Sequence, residues 1–338
     1  MKFTVAVTNA TNRMGAEIIN YLSHMKFPYK EVVALGHNYE AGQKISFGED
    51  KSLTIKPLKG YDFQEADIVF FLYLDMPFAE EYKKMALKTG AIVIDLSEES
   101  AFDKSVPSLI PAVNDHDFLL NHESAKLISL PISMSAQLAF FLKPLDMEYN
   151  IKRIVVSTYQ SVSHTGDKLA MDELFNQTKG IYFNQESKPE YFTHKISFNT
   201  LPGIGKITKG VSLEEKRIIA DLQKLIKPEL NIVVNTAYVP IFVGEAAYVN
   251  IEFEKKFALE ELKELLNEIQ ELTIIEEGRE KYASHFDALG EENILISRIK
   301  KDDTVNSGVG MWSCCDNLRR GIAITAVETA QFLAENLK

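Results

Sequence analysis

Cysteine is scarce in this chain: there are two, and they are neighbours, Cys314 and Cys315. No disulfide framework can be built from them, so a reducing compartment, the cytoplasm, is the expected location. A basic excess is absent as well. Lys and Arg number 37 against 48 Asp and Glu, for a net charge of −11 and a pI of about 5.3. That balance argues against sequence-independent binding to nucleic acid or to an anionic membrane. No apolar run approaches the roughly 20 residues of a transmembrane helix. The first apolar run, FTVAV, is short, alternates like a strand and follows a single lysine, so no secretory leader is expected. The seven histidines are scattered. Only Asp115, His116 and Asp117 stand together, and they read as the start of a helix with His116 exposed, so no metal site is expected. What is present is 46% apolar and 25% charged residues in 338, enough for one large or two ordinary globular domains.

The first third alternates strand and helix signals. FTVAV leads to a helix over 16–25, EVVAL and ADIVFFLYL read as further strands, and FAEEYKKMALKTG as a helix closed by Gly90. AIVIDLS makes a fourth strand. β-branched strands joined by helices predict a parallel, doubly wound α/β sheet. From about residue 150 longer β-rich runs, IKRIVVSTYQSVS and NIVVNTAYVPIFVGEAAYVNIEFE, predict a second, mixed α+β domain. FALEELKELLNEIQEL reads as a surface helix with a solvated acidic face, and QESKPEYF and KKDD as solvated loops. The closing stretch RRGIAITAVETAQFLAENL is amphipathic and is expected to pack back on the first domain.

TNATNRMG, residues 8–15, falls between a strand and a helix, where a dinucleotide-binding loop carries its glycines. Asn9, Asn12 and Gly15 occupy the three glycine roles. Asparagine tolerates positive φ, so the turn survives. Asn12, however, places a carboxamide where the phosphates would lie. The second strand ends in ALGHNYEAG, read as offering neither an acid for a ribose 2′-hydroxyl nor an arginine for a 2′-phosphate.

Six stretches in order resemble the aspartate-semialdehyde dehydrogenase family nearly end to end. TNATNRMG stands at its glycine-rich loop and LPISMSAQL (130–138) at its nucleophile segment. VSTYQSVSHTG (156–166), FNTLPGIG (198–205), YVPIFVGEA (238–246) and MWSCCDNLRRGIA (311–323) match the family's VSTYQAVSGAG, FNVIPHID, RVPVxxGHS and MWVVxDNLRKGAA. The resemblance implies a Rossmann-like NAD(P)-binding domain over 1–130 and 315–338, with an α+β dimerisation and catalytic domain containing a mixed sheet over 131–314. It implies NADP as the family cofactor, with Asn9, Thr11, Asn12, Arg13, Met14, Gly15 and Asn317 at the cofactor-binding positions.

The family reduces an acyl phosphate to the aldehyde with a cysteine thiolate, a histidine for the proton and an arginine for the substrate carboxylate. By position these become Ser133, Glu245 and Tyr238. Gln160 is retained, the glycine of the same segment is His164, and Glu214 and Arg217 keep the charge signs of the substrate-contacting helix. The phosphate-binding arginine is missing from SEESAFDKS. A serine hydroxyl does not ionise near neutral pH, and its oxyester is a poor hydride acceptor. A Ser133–Glu245 hydrolase is disfavoured because no histidine is placed to join the two, and Cys314 and Cys315 read as two buried small residues. Altered nucleophile, base, clamps and loop together imply a catalytically inactive relative, resembling the Usg-type paralogues that lack the cysteine. Its expected role is regulatory, scaffolding or partner-binding, with no NADP binding or only weak binding. A homodimer is expected, as is a mixed dimer with an active paralogue. The alternative is a divergent NADP-dependent dehydrogenase, or another oxidoreductase acting on an aldehyde or acyl phosphate in amino-acid biosynthesis.

Overall fold

The computed structural model describes residues 2–72, 79–185, 187–275 and 282–336. Part of the expected third strand (residues 73 and 74), Phe78 of the next helix, Glu186 of the QESKPEYF loop and Leu337 at the chain end lie outside them. The chain divides into two units, Met1–Ile132 with Ile322–Lys338, and Ser133–Gly321. Residues 315–321, which the sequence reading assigned to the first domain, group with the second unit.

The central strands of the first unit are mostly apolar and covered on both faces. In Phe3–Val7, Val5 and Val7 enter one core with Ile18, Leu22 and Ile94, while Ala6 points into a second core with Val33, Val69 and Val93. Such strands form parallel sheets with helices on both sides. Six strands do so here, in the order Lys56–Pro57, Tyr29–Gly36, Phe3–Val7, Ile68–Phe71, Ile92–Asp95, Leu127–Ser129, with every neighbouring pair parallel. Gly90, at φ +87°, ends the helix Ala79–Lys88 as its sequence position predicts. The closing helix Thr325–Asn336 supplies Ala326, Val327, Ala330 and Leu333 to the first of these cores.

The second unit is organised around the helix Ser133–Tyr149, in which residues 133–142 are all buried. A helix covered all round belongs in the middle of a fold. It packs on strands Glu245–Phe253 and Gly308–Cys315 and on helices Leu213–Leu225 and Leu259–Asn267. The sheet has eight strands and is mixed. Ile151–Gln160 runs antiparallel to Glu245–Phe253, which runs antiparallel to Gly308–Cys315, while Ile232–Asn235 lies parallel to Ile151–Gln160. One expected helix is shorter than its pattern. FALEELKELLNEIQEL is helical only over Leu259–Asn267, because Leu272–Ile274 is recruited as an edge strand beside Ile294–Asp302.

Candidate functional site

The register of the mixed sheet sets three side chains in one row. Glu245 opens its strand directly opposite Gln160 on one side and Cys315 on the other. Ser133, at the first turn of the buried helix, donates its hydroxyl to Glu245 Oε2 at 2.5 Å. Gly321 makes room for it: a Cβ there would lie 2.6 Å from Ser133 Cβ and 2.9 Å from its Oγ. Past Gln160 the chain enters the 3₁₀ turn Val162–Thr165, which carries His164 back over the row. Glu214 arrives from the first turn of Leu213–Leu225, a helix started by the capping box of Ser212 and Glu215.

The result is a continuous chain of polar contacts. His164 Nδ1 lies 2.9 Å from Glu245 Oε1 and Nε2 lies 3.0 Å from Glu214 Oε1. Gln160 Nε2 donates to Glu214 Oε1 at 3.0 Å. Burial alone would lower the His164 pKa, but Glu214 and Glu245, one at each ring nitrogen, raise it well above 6.5. Each ring nitrogen thus lies within hydrogen-bond distance of a carboxylate, an arrangement that favours the protonated ring. Burial works to raise Glu214, yet His164, Gln160 and Arg217 bring it below its usual 4.5. Tyr238, 6.4 Å from the His164 ring by centroids, is pushed well above 10 by burial and by Glu214, Tyr191 and Glu245, so its phenol stays neutral.

His164, in the segment where the family has a glycine, reaches Glu245 at Oε1 while Ser133 bonds the other oxygen, Oε2. The order of groups still defeats a hydrolytic triad. The Glu245 carboxyl group sits between serine and imidazole, so His164 is not in place to take a proton from Ser133 directly. Arg217, a substrate-contacting candidate, pairs through Nε with Asp221 at 3.0 Å, both buried. Asn317 accepts from Ser163 Oγ at 3.1 Å and from the backbone N–H of Gly244 at 2.8 Å, which ties two turns of the second unit together. Cys314 and Cys315 are buried. Burial raises Cys314 to about 12, and burial together with Glu245 raises Cys315 well above its usual value, so neither supplies a thiolate. Asp115, His116 and Asp117 are exposed within the helix Pro111–His122.

The loop of residues 8–15 belongs to the first unit. Asn9 adopts φ +48°, the left-handed conformation a turn glycine would supply. Gly15 is needed for close packing, since a Cβ would lie 2.5 Å from the Asn9 carbonyl oxygen. Asn12 caps the helix Arg13–His24, its Oδ1 accepting from Met14 N–H at 2.9 Å. A dinucleotide pyrophosphate uses such helix-start N–H groups, so the turn and the packing fit the cofactor while the donor end is occupied by the protein's own side chain. Thr11 and Arg13 are exposed. One expectation is corrected. The tip of the second strand does carry an acid, Glu40, folded back so that its Oε1 accepts from Thr11 Oγ1 at 2.5 Å.

A parallel α/β unit with a dinucleotide-type loop and a mixed-sheet unit holding a buried nucleophile position define a two-domain dehydrogenase architecture. The family described as "Semialdehyde dehydrogenase, NAD binding domain" matches residues 4–120, and "Semialdehyde dehydrogenase, dimerisation domain" matches residues 142–320. The chain is 37% identical to the aspartate-semialdehyde dehydrogenase of Rickettsia bellii, over 98% of each chain. It is 32% identical to that of Aquifex aeolicus over 99% of each. The crystal structure of aspartate semialdehyde dehydrogenase II from Vibrio cholerae superposes with a TM-score of 0.93 at 26% identity, covering 99% of both chains. This chain belongs to the aspartate-semialdehyde dehydrogenase family.

Proposed function

We propose that this chain is a non-catalytic member of its family, comparable to the Usg-type paralogues without the nucleophilic cysteine, with a regulatory, scaffolding or partner-binding role. The observation that carries this reading is the His164 ring set between Glu214 and Glu245, 3.0 and 2.9 Å from their carboxylate oxygens. Both carboxylates are met by a side chain belonging to the protein, and the Ser133 hydroxyl is donated to one of them. A substrate ammonium would have to displace that ring, and a substrate carboxylate would meet Tyr238, a neutral phenol, in place of a guanidinium. NADP binding is weak or absent in this reading, because Asn12 occupies the helix start.

The second unit is the dimerisation domain of the family, and a homodimer through it is part of the proposal. Leu169, Phe175, Ile181 and Tyr182 on the helix Lys168–Tyr182 are all more than half exposed. That is apolar surface of the kind obligate interfaces cover. The same surface would admit a mixed dimer with an active paralogue. A second reading, a divergent NADP-dependent dehydrogenase, is favoured by the 37% identity to a named dehydrogenase and by retained Gln160, Glu214, Arg217 and Asn317. A coupled assay at 340 nm of phosphate-dependent oxidation of aspartate semialdehyde decides between them. Turnover that Ser133→Ala abolishes establishes the second reading and ends the first.

A further inference from the structure

We infer that the nucleotide site of the first unit selects a dinucleotide with a free ribose 2′-hydroxyl, NAD, over one with a 2′-phosphate, NADP, and that Glu40 makes the selection. The strand Tyr29–Gly36 ends beside the loop of residues 8–15, since Phe3–Val7 is its parallel neighbour. After Gly36 the chain does not run on. His37 starts the 3₁₀ turn Asn38–Glu40, and the turn brings the Glu40 side chain back over the strand end. Its Oε2 accepts from His37 N–H at 2.6 Å and its Oε1 from Thr11 Oγ1 at 2.5 Å. Gly36 is what admits it: a Cβ there would lie 2.7 Å from Glu40 Oε2 and 2.9 Å from Ile55 Cγ2. With Glu40 only 9% exposed, the carboxylate is fixed in place. Both oxygens accept, which is the bonding pattern of an ionised carboxylate.

In a strand–loop–helix dinucleotide site the adenosine ribose lies at the tip of the second strand. A carboxylate there accepts from the 2′-hydroxyl, whereas a 2′-phosphate requires a cation. Glu40 is bonded to the loop that would hold the pyrophosphate, so it stands at the ribose end of the same site. It sets two like charges against each other when NADP enters and provides an acceptor when NAD does. Arg13, exposed at the start of the helix, is the cation of the loop itself. The selection is a property of binding, so it holds whether or not the second unit retains chemistry.

The test is calorimetric titration of the full chain with NADH and with NADPH at low and at physiological salt. The expected result is tighter NADH binding by about tenfold or more, with the gap narrowing as salt screens the repulsion. Glu40→Gln, confirmed folded by its thermal melt, is expected to contract the ratio chiefly by improving NADPH. If that variant does not fold, the salt dependence of the wild-type ratio carries the test. NADPH binding as tightly as NADH, or neither nucleotide binding at millimolar concentration, overturns the inference. Turnover of aspartate semialdehyde would overturn the non-catalytic reading and leave this one standing.

Discussion

His164 Nδ1 donates to Glu245 Oε1 across 2.9 Å, inside a strand row that also holds Gln160. This contact sets an imidazole against the carboxyl group that stands where the family resemblance places its histidine. Glu245 is contacted by serine at one oxygen and by imidazole at the other, so both of its oxygens are already engaged by the protein.

For that reason the wild type is expected to give no phosphate-dependent oxidation of aspartate semialdehyde above a no-enzyme control at 340 nm. Ser133→Cys is expected not to restore it. The new thiol would sit against the Glu245 carboxylate, which opposes thiolate formation, and Tyr238 would still stand in place of the arginine. Activity in the single variant would show that the nucleophile alone had been lost.

Removing the imidazole should be costly. His164→Gln leaves two buried carboxyl groups with neutral side-chain donors only, Ser133 on Glu245 and Gln160 on Glu214, and a loss of about 3–5 kcal/mol in denaturant unfolding at pH 6 is expected. The pH dependence has a definite sign. The folded pKa of His164 is raised, so its contribution is complete below the unfolded value of 6.5 and fades as pH climbs through the folded value, well above 6.5. Glu214 is lowered, so its contribution is present above 4.5 and fades as pH falls through the lower folded value. Wild-type stability should therefore decline on the alkaline side more than that of His164→Gln. Parallel curves would mean that the ring is not charged.

Gly321→Ala tests how tightly the nucleophile position is packed. The added methyl would lie 2.6 Å from Ser133 Cβ. Overpacking of this kind costs about 1–3 kcal/mol. A melting temperature unchanged within error would show that the buried helix yields easily.

Asn12→Gly should raise nucleotide affinity, because glycine serves as an N-cap within a few tenths of a kcal/mol while freeing the Met14 N–H. Asn9→Gly should change little, since Asn9 already holds φ +48°. Calorimetry with NADH on both variants checks this. Equal affinities for Asn12→Gly and wild type would place the obstacle elsewhere in the loop.

Light scattering on a column eluate should give twice the chain mass of 38.2 kDa. A monomer at tens of micromolar would remove the homodimer. Mixing with an active family member, followed by mass measurement, checks the mixed dimer in the same way.

Much of the fold could be read from local pattern. Val5 and Val7 against Ala6 are one apolar run that serves both faces of a parallel sheet, and Gly90 marks a helix end by its freedom at positive φ. The six ordered segments pointed to the family before any contact was visible. Two decisive side chains were not legible. Glu40 lies four residues past its strand, and only the 3₁₀ turn returns it to Thr11. His164 looked like one more substitution at a glycine position, 81 residues from Glu245.

The sequence by itself determined which segments are strands and helices over most of the chain. Those facts are set by periodicity, capping and residue type, all of which act over a few neighbours. The tertiary structure alone decided which distant polar groups meet. The pairing of Glu245 with Gln160, the turn after that strand and the first turn of Leu213–Leu225 place a histidine between two carboxylates. A charge network of that kind depends on distances of about 3 Å, and only the packed register of distant strands creates them.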